Sequence, residues 1–289
     1  MKRRALITGV TGFLGGYVAR CLLEDGWQVT AIVRASSQVN ALPVKLRENI
    51  QFYNADRMKL PEIVQDAAPD VVFHLATYYT TVHTYEEIDR LVASNIAFGT
   101  KLLEAMDVNN VRRLVYARSS WQHYNGDAYE PANLYAATKE AFDAIVKFYT
   151  AARGLQTISL TLFDTYGEDD RRNKLLAVLP QLAAEGRRLA LSPGEQLVDF
   201  VHAEDAARAF VLAGTYLVDG RYELCGDYVI SSGMAVTLRE LIRRYEEMCG
   251  EKMPVDWGAR PYREREIFLR QKFPRGVRVR SARHAASRE

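Results

Sequence analysis

Tyr135 and Lys139 stand four positions apart in the run Tyr135-Ala-Ala-Thr-Lys139. On a helix that spacing puts both side chains on one face, about a turn apart. A phenol left alone titrates near ~10, too high for proton transfer around neutrality. An ammonium held beside it favours the phenolate and lowers that value, which general acid–base chemistry requires. The same spacing also occurs on solvated helical faces, so the pair takes its meaning from its neighbours. Ser119 and Ser120 follow an apolar run at residues 113–117. A hydroxyl there stands at the carboxyl edge of a strand and can hydrogen-bond a reacting oxygen.

A second group of residues suits a dinucleotide. Gly9, Gly12 and Gly15, with Thr11, Phe13 and Leu14 among them, separate a strand-like run from a helix-like one. Glycines at such a junction allow a tight turn and close approach of backbone to a pyrophosphate, whose charge the helix N-terminus favours. The end of the second strand selects the dinucleotide. An acid there would hold a ribose 2′-hydroxyl and repel a 2′-phosphate. This chain instead has Arg34, followed by Ser36 and Ser37, and a guanidinium with hydroxyls suits a phosphate. NADP(H) is the expected cofactor, with NAD(H) bound beside an exposed loop arginine as the alternative.

The elements that must position these residues alternate. Strand-like runs fall at Arg4–Thr8, Gln28–Val33, Ile50–Asn54, 70–75, 113–117 and 157–162, and helical patterns at 12–25, 85–106 and 135–153. That alternation predicts an α/β fold, a Rossmann-type doubly wound parallel sheet with helices on both faces. After Asp164 the pattern loosens into helices at 175–185, 203–217 and Leu238–Cys249 and short strands at Leu189–Leu191 and 199–201. No Ser/Gly/Pro-rich linker intervenes, so this part reads as a smaller C-terminal substrate-binding lobe laid on the sheet. The expected division is 1–164 for the dinucleotide-binding part, 165–269 mainly for the lobe, and 270–289 for a basic, disordered tail.

From Arg270 onward there are seven Lys/Arg against one acid, which leaves a body of 31 basic and 35 acidic residues. A basic tail can bind nucleic acid or an acidic membrane. The body lacks the surplus of a nucleic-acid binder, and a solvated terminus is the simpler reading. No apolar run is long enough for a membrane span or a signal-peptide core. Cys21, Cys225 and Cys249 have no metal-ligand spacing, so no metal and a reducing, cytoplasmic compartment are expected.

Taken in order, the glycine loop, Ser120, Tyr135 and Lys139 resemble the extended branch of the short-chain dehydrogenase/reductases, the NAD-dependent epimerase/dehydratase family, over residues 4–265. The resemblance implies that Asp56-Arg57 lies near the adenine and that Leu75-Ala76-Thr77, after His74, lies beside the nicotinamide ribose. It places Asn95 on the helix next to the active site, holding either that helix or a proton-relay water. Ser120, four residues before Tyr124, falls at the catalytic hydroxyl position, with Ser119 as its neighbour. Arg260-Pro261 is similar to the late arginine that holds nucleotide phosphates.

Two departures narrow the activity. Dehydratases of this branch carry an Asp-Glu pair where this chain has Trp121-Gln122, which argues against 4,6-dehydration. Val198 replaces an arginine that many epimerases have before the stretch Asp199-Phe200-Val201-His202, and Lys174 or Arg263 is the expected substitute. The run from Ser120 to Tyr124 and the segment 133–139 look like the CDP-abequose/CDP-paratose synthase-like group, which reduces 4-keto-deoxy nucleotide sugars with NADPH. By that resemblance Tyr135 protonates the developing alkoxide, Lys139 lowers its pKa and Ser120 orients the carbonyl. Tyr78, Trp121 and His123 touch the sugar or simply pack. A homodimer is implied, through the helices at 85–106 and 135–153. The rival readings are an NAD-dependent epimerase of the same branch and a non-catalytic NADP-binding redox sensor.

Overall fold

A computed structural model describes residues 2–124, 126, 129–172 and 174–268, together with the strand Gly276–Arg278. Six strands come from the first half: β1 (Arg4–Thr8), β2 (Gln28–Val33), β3 (Ile50–Asn54), β4 (Val71–His74), β5 (Arg113–Ser119) and β6 (Gln156–Leu162). The second half adds β7 (Asp164–Tyr166), β8 (Leu189–Leu191), β9 (Leu197–Val198), β10 (Phe200–His202), β11 (Gly226–Ser231), β12 (Val236–Thr237), β13 (Val255–Trp257) and β14 (Gly276–Arg278). Eight of these form one sheet in the order β14-β11-β6-β5-β4-β1-β2-β3. All its neighbours are parallel. The fold is therefore the expected doubly wound α/β sheet.

Alternation along each strand divides the core between the two faces. Ala5, Ile7, Val71, Phe73, Val115 and Ala117 pack against α1 (Phe13–Glu24) and, from the second half, the helix Ala203–Val218. Leu6, Val72, Leu114 and Tyr116 face the other way. They meet α3 (Leu60–Ala67), α5 (Phe98–Val108) and α6 (Leu134–Arg153), while the short α2 (Val44–Asn49) precedes β3. Both faces are buried, so the strands read as continuous apolar runs.

The periodic segment at 85–106 is not one helix. It comprises a 3₁₀ turn (Tyr85–Glu87), α4 (Ile88–Val92), a π turn (Ala93–Ala97) and then α5. Apolar periodicity is blind to one extra residue per turn, and such widened turns often mark functional positions. Here the π turn contains Asn95.

The segment expected to be mainly the lobe also contributes to the main sheet. After α7 (Leu175–Ala184), the chain returns to the main sheet as α8 (Ala203–Val218) and β11, then leaves again as α9 (Leu238–Cys249). The lobe has a small core of its own, in which Leu179, Leu191, Ile242 and Met253 pack with Trp257. Within the expected tail, Gly276–Arg278 is a strand beside β11. The rest of that tail lies outside the described residues.

Gly15 carries part of this packing by having no side chain, because a Cβ there would lie 2.0 Å from the Gly9 carbonyl oxygen. The obstacle is backbone and cannot rotate away. Gly15→Ala is expected to destabilise the protein by about 1–3 kcal/mol, the usual cost of overpacking, measured by denaturant unfolding. Gly26→Ala gives a comparison at a site with nothing within 4 Å but a φ of +79°.

Candidate active site

Strand order reverses at β1, whose neighbours are β2 on one side and β4 on the other. Open α/β sheets bind ligands outside such a switch point, at the carboxyl ends of their strands. The loop after β1 starts at Gly9, with φ of +80°. A Cβ at Gly9 would come within 2.7 Å of the Ala76 amide nitrogen, so the loops after β1 and β4 touch through backbone. Gly12 is the N-cap of α1 and offers no side-chain cap, and the first turn holds no acid. The opening N–H groups of α1 are thus left for an anion, which together with the glycine cradle fits a dinucleotide pyrophosphate.

A cleft of about 670 Å³ extends from this loop to the sheet edge. Gly9, Thr11, Gly12, Phe13, Leu14, Gly15, Arg34, Ser37, Leu75, Ala76 and Thr77 line it, as do Ser119, Ser120, Tyr135 and Lys139. Ser36, Asp56 and Arg57 do not. The Asp56 carboxylate instead accepts a hydrogen bond from the Ala35 amide at 2.7 Å, holding the loop that carries Arg34. Arg34 is exposed, and no acid among the described residues forms an ion pair with it.

Asn133 caps α6 through the Ala136 amide at 2.9 Å, and Gly154 ends the helix in the left-handed region. Tyr135 and Lys139 lie on its buried face, 8% and 5% exposed. Burial pushes the Tyr135 phenol well above its ordinary value, and Tyr79 adds to this, while the Thr77 and Ser119 hydroxyls oppose it by hydrogen bonding. Burial also brings Lys139 down to about 8, against the attraction of Asp143 and with the repulsion of Arg118. The expected lowering of Tyr135 by Lys139 is not the direction seen here, because desolvation dominates both groups.

Asn95 is a positioning residue in this arrangement. Its Oδ1 accepts from the Thr77 hydroxyl at 3.0 Å and the Tyr78 amide at 2.7 Å. Its Nδ2 donates to the Tyr78 carbonyl at 3.0 Å and the Thr138 hydroxyl at 2.9 Å. Thr138 in turn donates to the Tyr135 carbonyl at 2.7 Å. The amide is engaged with protein on every side and ties the turn after β4 to α6.

A larger cleft of about 1,210 Å³ lies between the sheet and the lobe. Trp121, Lys174, Arg260 and Arg263 line it, and Ser120, Trp121, Tyr79, Phe163, Asp164, Arg172 and Lys174 line both clefts. Tyr78 lines neither. Its ring stacks under Arg90 at 4.0 Å and its hydroxyl donates to Glu87. The tyrosine that faces Tyr135 is Tyr79, with ring centroids 5.1 Å apart. His123 also lines neither cleft. Lys174 is paired with Asp164 at 2.9 Å, and Arg263 lies over the Trp121 ring at 5.3 Å.

A nucleotide-length cleft meets a larger one at a serine, a buried tyrosine and a lysine, and the profile of one protein family matches residues 5–229 of this chain. The chain belongs to the NAD dependent epimerase/dehydratase family. It is similar to the CDP-abequose synthase of Salmonella typhimurium, 24% identical over 278 residues, covering 93% of this chain and 89% of the relative. It is likewise 24% identical over 297 residues to the UDP-glucose 4-epimerase of Streptomyces lividans, covering 93% and 88% of the two chains. In fold it is similar to the solved UDP-glucose 4-epimerase of Brucella ovis in complex with NAD, with a TM-score of 0.79, 22% identity and coverage of 94% and 90%. It is thus an oxidoreductase-type enzyme of the extended short-chain dehydrogenase/reductases.

Three residues take parts at or beside the site that matching the sequence one residue at a time does not show. Tyr79 is hidden by its twin Tyr78, and only the turn geometry separates them. Arg172 comes from an irregular loop, where it lies over the Phe13 ring at 4.0 Å and pairs with Asp170 at 2.7 Å. Gln122 is fully buried, its carbonyl accepting from the Ser119 amide at 2.9 Å and its amide donating to Glu140 and Asp143 at 2.7 Å each. It links the serine turn to the helix of Lys139.

Lys139 gives a pH-dependent signature. The unfolded chain holds this proton up to about 10.5 and the folded, ligand-free protein only to about 8. Between those values the unfolded state binds more protons, so this group's contribution to stability rises with pH. Below pH 8 the buried ammonium is a standing cost of roughly 3 kcal/mol at most. Lys139→Met relieves that cost, so the variant's stability relative to wild type should be greatest near pH 7 and decline toward pH 10, in matched thermal unfolding. A difference that does not move with pH contradicts the assignment.

Proposed function

We propose that this enzyme reduces a 4-keto-deoxy nucleotide sugar with NADPH. One observation carries the reading: the dinucleotide cleft and the larger cleft meet at Ser120 and Trp121, over a buried Tyr135 that holds its proton at neutral pH. Reduction of a carbonyl needs a hydride on carbon and a proton on oxygen. The reduced dinucleotide supplies the hydride when bound in the smaller cleft.

The chain's own residues supply the rest. Ser120 donates to the carbonyl oxygen and fixes its direction. As charge develops on that oxygen, the Tyr135 phenol donates its proton, since an alkoxide is the stronger base even against a phenol raised by burial. The Lys139 ammonium then stabilises the phenolate across one helical turn. Trp121 offers a flat apolar face to the sugar, and Arg260 and Arg263 supply positive charge for the diphosphate that Val198 does not provide. Where dehydratases of this branch carry an Asp-Glu pair, Gln122 presents an amide that takes no proton and is already engaged, so elimination of water has no acid–base pair.

Arg34 supports NADPH over NADH, because it lines the cleft at the end of β2 with no ion-paired acid among the described residues. A homodimer through the helices of the 85–106 and 135–153 segments and a cytoplasmic location complete the proposal. The likeness to 4-epimerases favours a second reading, in which a tightly held NAD oxidises and re-reduces the sugar with no net turnover.

The deciding experiment incubates the protein with 4-keto CDP-, dTDP-, UDP- and GDP-linked deoxysugars and NADPH. Stoichiometric NADPH oxidation with reduction at C4 is expected. Co-purified NAD with no net NADPH consumption would establish the epimerase instead. Tyr135→Phe should lower kcat at least ~100-fold while cofactor binding persists. Unchanged turnover would remove Tyr135 as the acid, and no turnover of any of these substrates by the wild type would return the redox-sensor reading. Arg34→Ala should lower kcat/KM for NADPH about tenfold and leave NADH nearly unaffected, a loss of ~1.4 kcal/mol of transition-state binding.

A further inference from the structure

The junction of the two clefts holds a second polar constellation opposite Tyr135. The Lys174 ammonium donates to Asp164 Oδ1 at 2.9 Å and to the Tyr79 hydroxyl at 3.1 Å. The same ammonium lies 4.8 Å from the centre of the Tyr79 ring. Tyr79 stands edge-on to Tyr135, with an interplanar angle of 80°, and packs near Trp121 at 5.7 Å. All three residues of the constellation line both clefts.

The hydrogen-bond inventory of this group is incomplete in a specific way. An ammonium has three donors, and two of those on Lys174 are engaged. The Tyr79 oxygen accepts from Lys174, and among the described residues its own proton has no acceptor. Asp164 uses Oδ1 and leaves Oδ2 without a hydrogen-bond partner among those residues. Two donors and one acceptor therefore remain at the point where the reacting end of a substrate must lie. A diphosphate accepts hydrogen bonds but donates none, so a carboxylate beside the lysine repels it. A sugar hydroxyl both donates and accepts, and matches the set.

We infer that Asp164, Lys174 and Tyr79 form a sugar-hydroxyl clamp, which binds a hydroxyl on a ring carbon near the reacting one and does not hold the diphosphate. The assignment rests on the nucleotide-sugar reading above and moves Lys174 from the phosphates to the sugar. The positive charge of Lys174 is internally balanced by Asp164, which leaves the diphosphate to Arg260 and Arg263. The Tyr79 ring, fixed by Lys174, forms one wall of the space in front of Tyr135, so the clamp also limits how the sugar can present its carbonyl.

Calorimetric titration of the full-length protein separates the two assignments. The ligands are CDP, dTDP, UDP and GDP, each beside its sugar conjugate (CDP-glucose, dTDP-glucose, UDP-glucose and GDP-mannose). The wild type should bind at least one conjugate more tightly than its parent diphosphate. Lys174→Met and Tyr79→Phe should each weaken that conjugate about tenfold and change the affinity of the diphosphate less than twofold. Tyr79→Phe removes a single oxygen, and an unchanged far-ultraviolet circular dichroism spectrum with cooperative thermal unfolding shows that each variant is folded. Equal weakening of diphosphate and conjugate by Lys174→Met, or no weakening by either variant, overturns the clamp. Failure of the wild type to bind any of the eight ligands overturns the nucleotide-sugar reading itself, and the clamp with it.

Discussion

The contact of Gly9 with Ala76 on one side and Gly15 on the other sets the spacing of the rest of the site. At these positions backbone meets backbone, and any side chain would drive the loops after β1 and β4 apart. With the loops in contact, the open N-terminus of α1, the turn at Leu75-Ala76-Thr77 and the end of β5 share one edge of the sheet. Thr8 reinforces the contact from below: its hydroxyl meets His74 Nδ1 at 2.8 Å and accepts from the Ala76 amide at 3.2 Å. Burial holds His74 neutral, its pKa down near about 3 with Lys139 also repelling its charged form. His74 thus adds no charge beneath the turn that carries Ala76.

Electrostatics and packing act together around α6. Desolvation favours the neutral form of Tyr135 and of Lys139 alike, so the free site holds a protonated phenol ready to hand over its proton. Behind Lys139, Arg118 pairs with Asp143 at 2.6 Å and approaches Glu140 at 3.6 Å. Gln122 joins both carboxylates to the serine turn. Buried ionic groups of this kind require every partner to be in place. The turn bearing Ser119 and Ser120 therefore cannot shift far without disturbing the helix that bears Tyr135 and Lys139.

Much of this was legible in the chain. The β-branched, apolar strands and the glycine loop announce a parallel sheet and its ligand edge, since a strand buried on both faces leaves a continuous apolar run. Ser120, Tyr135 and Lys139 are recognisable because local spacing places them. Other features depend on geometry that no spacing encodes. The π turn at Asn95 adds one residue to a helical turn without changing residue types. The choice between Tyr78 and Tyr79 depends on the direction in which the chain leaves β4. The pairing of Lys174 with Asp164 joins residues whose significance comes from a third, Tyr79, 95 positions away in the chain. The direction of the Tyr135 shift was missed for a related reason: sequence shows the neighbouring charge but not the depth of burial that outweighs it.

The strand at Gly276–Arg278 bears on how the molecule behaves among its own copies. A parallel sheet ending at β11 would expose a row of unpaired amides and carbonyls, the kind of rim on which stray strands nucleate. β14 occupies that rim from Val229 to Ser231. By composition this stretch belongs to a solvated tail, yet its backbone covers half of β11 and leaves a three-residue strand as the outermost one, a short edge that another chain finds hard to extend.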